Sequence, residues 1–266
     1  MKDVLDEIVA WKKIEVEQQK SELPARELYA LVEQQMQDFR KERSMSQNLA
    51  ASHSGIIAEF KRKSPSKGWI REDGKPDVIP ASYARNGASA ISILTDEKYF
   101  GGKMEFIKTA RPTVNVPILR KEFIIDEYQL FQARRIQADA VLLIAAELTI
   151  PECKSLIEMA HQLQLEVLLE VHGEKELDYC ELDADMIGVN NRDLGTFHTT
   201  VQNSFDMIGK LPQDRVLVSE SGISNPETVS LLRKVGYRGF LMGEHFIRAT
   251  DPGKELAKFI SNINKV

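Results

Sequence analysis

Cysteine is scarce in this chain: Cys153 and Cys180 are the only two in 266 residues. Two cysteines cannot build a disulfide scaffold, and neither stands in a metal-ligand spacing, so no metal is expected. A basic excess is also missing. The 35 basic side chains against 40 acidic ones leave a net charge of −5, which gives no ground for nucleic acid as the main partner, although a local positive site for a small anion stays open. No apolar stretch approaches the roughly 18 residues that a membrane span needs, so no membrane partner is expected. The start, Met1-Lys-Asp-Val-Leu-Asp-Glu7, is acidic and mixed rather than a secretory leader. The Pro-rich, weakly hydrophobic profile of disorder is absent too, at 42% hydrophobic residues with 10 Pro and 15 Gly. What remains is a soluble, cytoplasmic, globular chain, long enough for one large domain or two small ones.

Past residue 50, short apolar runs alternate with longer amphipathic segments. Eight runs stand out: Gly55–Phe60, Ala88–Leu94, Val116–Leu119, Ala138–Ala146, Leu165–Val171, Ala184–Val189, Arg215–Val218 and Gly239–Met242. They are rich in Ile, Val and Leu without strict alternation, as strands buried on both faces must be. Helix signals fall between them. Thr149-Ile-Pro-Glu152 and Ser224-Asn-Pro-Glu227 read as capping boxes, and Asp251-Pro252 opens a last helix with Leu256, Phe259 and Ile260 on one face. Eight strands, each followed by a helix, predict an α/β fold of the (β/α)8 (TIM) barrel type. A doubly wound open sheet is the alternative, but it favours a Gly-rich turn after its first strand, where this chain has Lys61-Arg-Lys-Ser-Pro-Ser66. Residues 1–48 precede the pattern. Val4, Leu5, Ile8 and Trp11 have helical spacing, and Glu27–Arg43 reads as a second helix with Leu28, Leu31 and Val32. An apolar stripe needs cover, so 1–48 is expected to be a helical extension packed on a barrel of 49–266 rather than a solubilising tail.

Charge gathers where such a barrel builds its active site, at the C-terminal ends of the strands. Glu59 and Lys61 close the first strand, two residues apart and so on one face. Lys121 closes the third, Glu170 the fifth, Asn190 and Arg192 the sixth, Glu220 the seventh and Glu244 the eighth. One such residue is a strand running out into water; six strands with the same feature are harder to explain that way. Inward charges at a barrel mouth cost desolvation and need partners or an oppositely charged ligand. Lys61, Lys121 and Arg192 with Glu59, Glu170 and Glu220 suit an anionic substrate handled by acid–base chemistry. Ser221-Gly222 and Gly243-Glu244 follow strands seven and eight, where barrels bind phosphate through backbone N–H groups, and Ser64 offers a hydroxyl.

These segments also resemble a known family. Ile56-Ile-Ala-Glu-Phe-Lys-Arg-Lys-Ser-Pro-Ser-Lys-Gly68 is similar to the signature of the indole-3-glycerol-phosphate synthases. The likeness continues through Ser92–Gly102, Pro117–Ile124, Leu169–His172, Gly188–Leu194, Ser219–Ile223 and Phe240–Glu244, in one order over nearly the whole chain. A helical N-terminal extension fits the family as well. The resemblance implies a cofactor-free carboxy-lyase that closes the ring of 1-(2-carboxyphenylamino)-1-deoxyribulose 5-phosphate, releasing CO2 and water to give indole-3-glycerol phosphate. It implies that Lys121 is the general acid, Glu170 its acidic partner in later proton transfers, and Lys61 a second lysine near the substrate carboxylate. Glu59 and Asn190 match residues that assist dehydration and hold sugar hydroxyls, with Arg192 and Glu220 completing the polar network. Phe100, Phe123 and Leu142 match positions that press the anthranilate ring, although Leu142 fits plain barrel packing equally well. How Lys61 and Lys121 divide the proton transfers stays open. Glu244 would repel phosphate if its carboxylate pointed inward, which leaves that role to Gly243 and its turn. The implied partner is a phosphorylated small molecule, taken by a monomer or a weak homo-oligomer.

Overall fold

Eight short parallel strands close on themselves in the computed structural model, which describes residues 4–193 and 198–263. They are β1 (Ile56–Phe60), β2 (Ala90–Leu94), β3 (Ile118–Lys121), β4 (Ala140–Ile144), β5 (Glu166–Val171), β6 (Met186–Asn190), β7 (Val216–Glu220) and β8 (Gly239–Met242). Each pairs with the next, and β8 returns to β1 through Ile56↔Phe240 and Ala58↔Met242. The fold is the (β/α)8 barrel that the alternating runs predict. Closure leaves the barrel without a sheet edge and covers both faces of every strand, hence the near-continuous apolar runs. Alternate side chains feed two cores. Ile57, Leu119, Leu142, Leu168, Met186 and Leu241 belong to the inner one. Ile56, Ile118, Val141, Val167 and Ile187 pack in the outer layer with the helices.

Several strands run further than their apolar runs. β3 continues through Arg120 and Lys121, β6 through Asn190, and β7 through Ser219 and Glu220. The ladder itself extends them, because Lys121 pairs with Leu94 and Glu220 with Asn190. Polar side chains at the mouth end the hydrophobic pattern while the backbone pairing goes on.

Among the described residues six crossovers carry an α-helix, Ile79–Arg85, Glu105–Ala110, Glu127–Arg135, Ile150–Gln162, Gln202–Met207 and Pro226–Val235, and after β8 a short turn at Glu244–Ile247 leads to a last one, Pro252–Ile263. The fifth departs from expectation. Glu174–Glu181 is a 3-10 helix whose only buried side chain is Cys180, too little apolar surface to hold an α-helical stripe on the barrel. The capping box at Thr149 and Glu152 is present. At the next proposed box the cap is Asn225, not Ser224: Pro226 takes the first helical position and forces the residue before it into an extended conformation, with φ −139° and ψ 153°.

The N-terminal segment forms α1 (Val4–Glu22), α2 (Ala25–Gln37) and α3 (Met45–Ala51). α2 ends at Gln37 instead of reaching Arg43, because Arg40–Ser44 contains no apolar side chain to bury. α3, which the sequence did not announce, straddles residue 48 and stoppers the N-terminal end of the barrel. Its Met45 and Leu49 are fully buried in the inner core. Ser44 caps the helix by accepting from Gln47 N–H. The Glu166 carboxylate, at the start of β5, accepts from Ser44 Oγ at 2.6 Å, from Ser46 Oγ at 2.9 Å and from Met45 N–H.

Candidate active site

At the other end of the barrel a cavity of about 210 Å³ opens at the C-terminal ends of the strands. All fifteen residues singled out from the sequence line it: Glu59, Lys61, Ser64, Phe100, Lys121, Phe123, Leu142, Glu170, Asn190, Arg192, Glu220, Ser221, Gly222, Gly243 and Glu244. Leu194, the last residue of the sixth-strand motif, lies outside the described residues.

Lys121 is the hub. As the last residue of β3 it faces inward, and its Nζ donates to Glu170 Oε2 at 2.9 Å and lies 3.5 Å from Glu220 Oε2. Burial alone would lower the pKa of this ammonium. Glu170, Glu220 and Glu59 more than reverse that effect and raise it, so Lys121 is a charged proton donor at neutral pH. Glu170 Oε1 accepts from Asn190 Nδ2 at 3.1 Å and meets His172 Nε2 at 3.3 Å. Burial works to raise the Glu170 pKa, but Lys121 and His172 hold it well below the ordinary carboxylate range. Glu220 goes the other way. Burial pushes it up to about 8 against the pull of Lys121, with Glu170 adding repulsion. Its Oε1 is buried without a hydrogen-bond partner. Two glutamates on the strands that flank β6 are thus shifted in opposite directions around one lysine.

Room for Glu220 comes from Gly188 in β6: a Cβ there would overlap Glu220 Oε1 and crowd Leu168. Lys61 Nζ pairs with Glu59 Oε1 at 2.6 Å at the end of β1. Arg192 is anchored by its backbone N–H, which donates to Asn190 Oδ1 at 3.1 Å, and its Nε is buried without a hydrogen-bond partner. Phe100 and Phe123 form an aromatic wall with ring centroids 5.8 Å apart. The turns after β7 and β8 close the rest of the cavity. Ser221 has φ +68°, a left-handed conformation rare for a residue with a side chain and of the kind found at ligand clamps. Glu244 Oε1 is engaged by Lys67 Nζ at 2.5 Å and Arg248 Nε at 2.9 Å, so its charge is compensated at the rim.

Sequence reading missed three contributors. Val4, Leu5 and Ile8 of α1 line the cavity, so the extension supplies part of its wall. His172 enters the sequence reading only as the last residue of the Leu169–His172 segment. Its ring sits 3.3 Å from Glu170 and 3.5 Å from Glu176. Burial would lower its pKa, but the two carboxylates push it up to about 10. Lys12 of α1 is fully buried. Its place four residues after Ile8, on the helix's apolar side, was the available signal. Among the described residues no helix is long and apolar enough to cross a membrane.

A closed parallel barrel whose strand ends present a charged, enclosed lysine–glutamate network is the architecture of a (β/α)8-barrel enzyme. The comparisons with known proteins narrow the class. The family model for indole-3-glycerol phosphate synthase matches residues 5–259. A protein of that name from Bacteroides thetaiotaomicron is 56% identical over 263 residues, covering 99% of this chain and all of that protein. Two from Burkholderia lata and Burkholderia ambifaria are each 42% identical over 260 residues, covering 97% of this chain and 99% of theirs. The chain belongs to the indole-3-glycerol phosphate synthase family.

Proposed function

We infer that this chain converts 1-(2-carboxyphenylamino)-1-deoxyribulose 5-phosphate into indole-3-glycerol phosphate, a carboxy-lyase reaction of tryptophan biosynthesis. The observation that carries the reading is the charged Lys121 held between Glu170 and the far less acidic Glu220 beneath an aromatic wall. In the reaction the ring carbon bearing the carboxylate bonds to the ribulose carbonyl carbon, and the carbonyl oxygen takes a proton to become a hydroxyl. Loss of CO2 restores the aromatic ring, and loss of that hydroxyl as water with a ring-side proton completes the indole.

Lys121 suits the first step, since its ammonium both donates the proton and offsets the developing oxyanion charge. Glu170, held ionised, suits proton removal in the later steps. Lys61, the second cation at the mouth, is assigned to the substrate carboxylate. Glu59 and Asn190 are assigned to dehydration and the sugar hydroxyls, with Arg192 and Glu220 completing the network. Phosphate is assigned to the Ser221-Gly222 and Gly243-Glu244 turns with Ser64, and the anthranilate ring to Phe100, Phe123 and Leu142. In this reading 1–48 serves as an extension and 49–266 as the catalytic barrel. The work is cytoplasmic, and a monomer or weak homo-oligomer suffices because one chain supplies every assigned group.

The test is incubation with that substrate while following indole fluorescence. Turnover is expected in the wild type, and K121A is expected to lose about 100- to 10,000-fold in kcat, the range for a general acid, with substrate binding largely retained. No product at high enzyme concentration, or near-normal turnover by K121A, overturns the assignment.

A further inference from the structure

Strand alternation splits the end of β3 between two environments. Lys121 faces the cavity, while its neighbours Arg120 and Glu122 are both buried and turn outward. There Glu122 meets Lys12, a lysine 1% exposed on α1. Its Nζ lies 2.9 Å from Asp96 Oδ2, 3.0 Å from Glu122 Oε1 and 2.9 Å from Glu15 Oε2. Both barrel carboxylates hold the backbone that presents an aromatic ring. Asp96 Oδ1 accepts from Tyr99 N–H at 2.7 Å and Phe100 N–H at 3.2 Å. Glu122 Oε1 accepts from Phe123 N–H at 2.9 Å, and Oε2 accepts from Thr95 Oγ1 at 2.7 Å. α1 grips the same loop twice more, through Tyr99 OH donating to Glu7 at 3.0 Å and Lys98 Nζ lying 3.8 Å from the Trp11 ring centroid.

We propose that Lys12 is a positioning residue: by bridging Asp96 and Glu122 it sets the spacing of Phe100 and Phe123, and with it the seat of the substrate's aromatic ring. The proposal rests on the ring-closing reading for its kinetic consequence, though not for the placement of the rings. A buried ammonium amid three carboxylates is costly to desolvate and is kept only where its geometry is satisfied. Burial works to lower the Lys12 pKa, but Glu122, Asp96 and Glu15 raise it overall, so the bridge stays charged across the working pH range. Carbon–carbon closure needs a folded substrate, and misplacement by about 1 Å costs on the order of 100-fold in rate.

The test uses K12M, the conservative K12R and the double variant K12M/E122Q, which removes one buried charge of each sign and stands in for K12M if that variant does not fold. Fluorine NMR of fluorophenylalanine-labelled protein without substrate reads the wall directly, with the Phe100 and Phe123 lines assigned from F100L and F123L. Both lines are expected to shift or broaden in the charge-removed variants and to return towards their original positions in K12R. In kinetics the charge-removed variants are expected to raise KM and to lower kcat/KM by about 10- to 100-fold. A merely structural lysine would reduce the folded fraction, lowering apparent kcat with KM unchanged. Unmoved Phe100 and Phe123 lines together with an unchanged KM in a folded variant overturn the proposal. If the wild type turns over no substrate, the ring-closing reading fails while the NMR result still decides the placement.

Discussion

His172 shows how a single residue can tune a proposed base. Its ring faces both Glu170 and Glu176, and Lys121 lies on the far side of Glu170. Its pKa is raised from 6.5 to about 10 in the folded protein, so the imidazolium contributes stability that is fully present below pH 6.5 and is lost as the pH rises through 10. Glu220, raised from 4.5 to about 8, likewise loses its contribution with rising pH, over 4.5 to 8. The two windows overlap, and a substitution separates them. H172N is expected to lose less stability than the wild type between pH 6.5 and 10, measured as urea midpoints across that range. Equal pH slopes for the two proteins would show that the imidazolium is not held by its carboxylates. His172 itself was readable in the sequence as the residue two after Glu170, but its charge was not. That depends on Glu176, which the 3-10 turn brings within 3.5 Å of its ring.

At the scale of elements, local chemistry decided what could be read beforehand. Thr149 and Glu152 sit at the spacing a capping box needs, and Thr149 Oγ1 and Glu152 Oε2 satisfy the first turn of the helix at Ile150–Gln162 as that spacing predicts. T149A should therefore destabilise the protein by about 1 kcal/mol, seen as a lower urea midpoint with an unchanged denaturant slope. The strand ends carrying Lys121, Glu170 and Glu220 were legible for a related reason: polar residues abruptly ending apolar runs have few explanations in a barrel. What stayed hidden depended on long-range partners. α3 has seven residues and little intrinsic helix-forming strength at that length. It persists because Met45 and Leu49 are buried in the inner core and Glu166, 120 residues or more away in sequence, accepts from its first turn. Gly188 likewise looks like any strand glycine until the Glu220 carboxyl is seen to occupy the space beside it.

Taken whole, the N-terminal segment touches the barrel at both ends. α1 walls the cavity through Val4, Leu5 and Ile8, while α3 seals the opposite end with Met45 and Leu49. At the sealed end Glu166 accepts from Ser44, Met45 and Ser46, so E166A should lower overall stability by about 2 kcal/mol by stripping partners from the first turn of α3. The loss should leave KM unchanged, because the affected contacts lie at the opposite end of the barrel from the cavity. Thermal or urea unfolding beside steady-state kinetics checks this, and a shift in KM would show that the plug and the mouth are coupled.

The plug also bears on the order in which the chain assembles. Residues 45–51 leave the ribosome ahead of every strand, yet Leu49 belongs to one core with Ile57, Ala90, Leu119 and Val218, which are distributed along the following 170 or so residues. A segment made before every strand therefore has a seat that only the last strands complete. Until β7 and β8 are in place it has no complete surface to dock against.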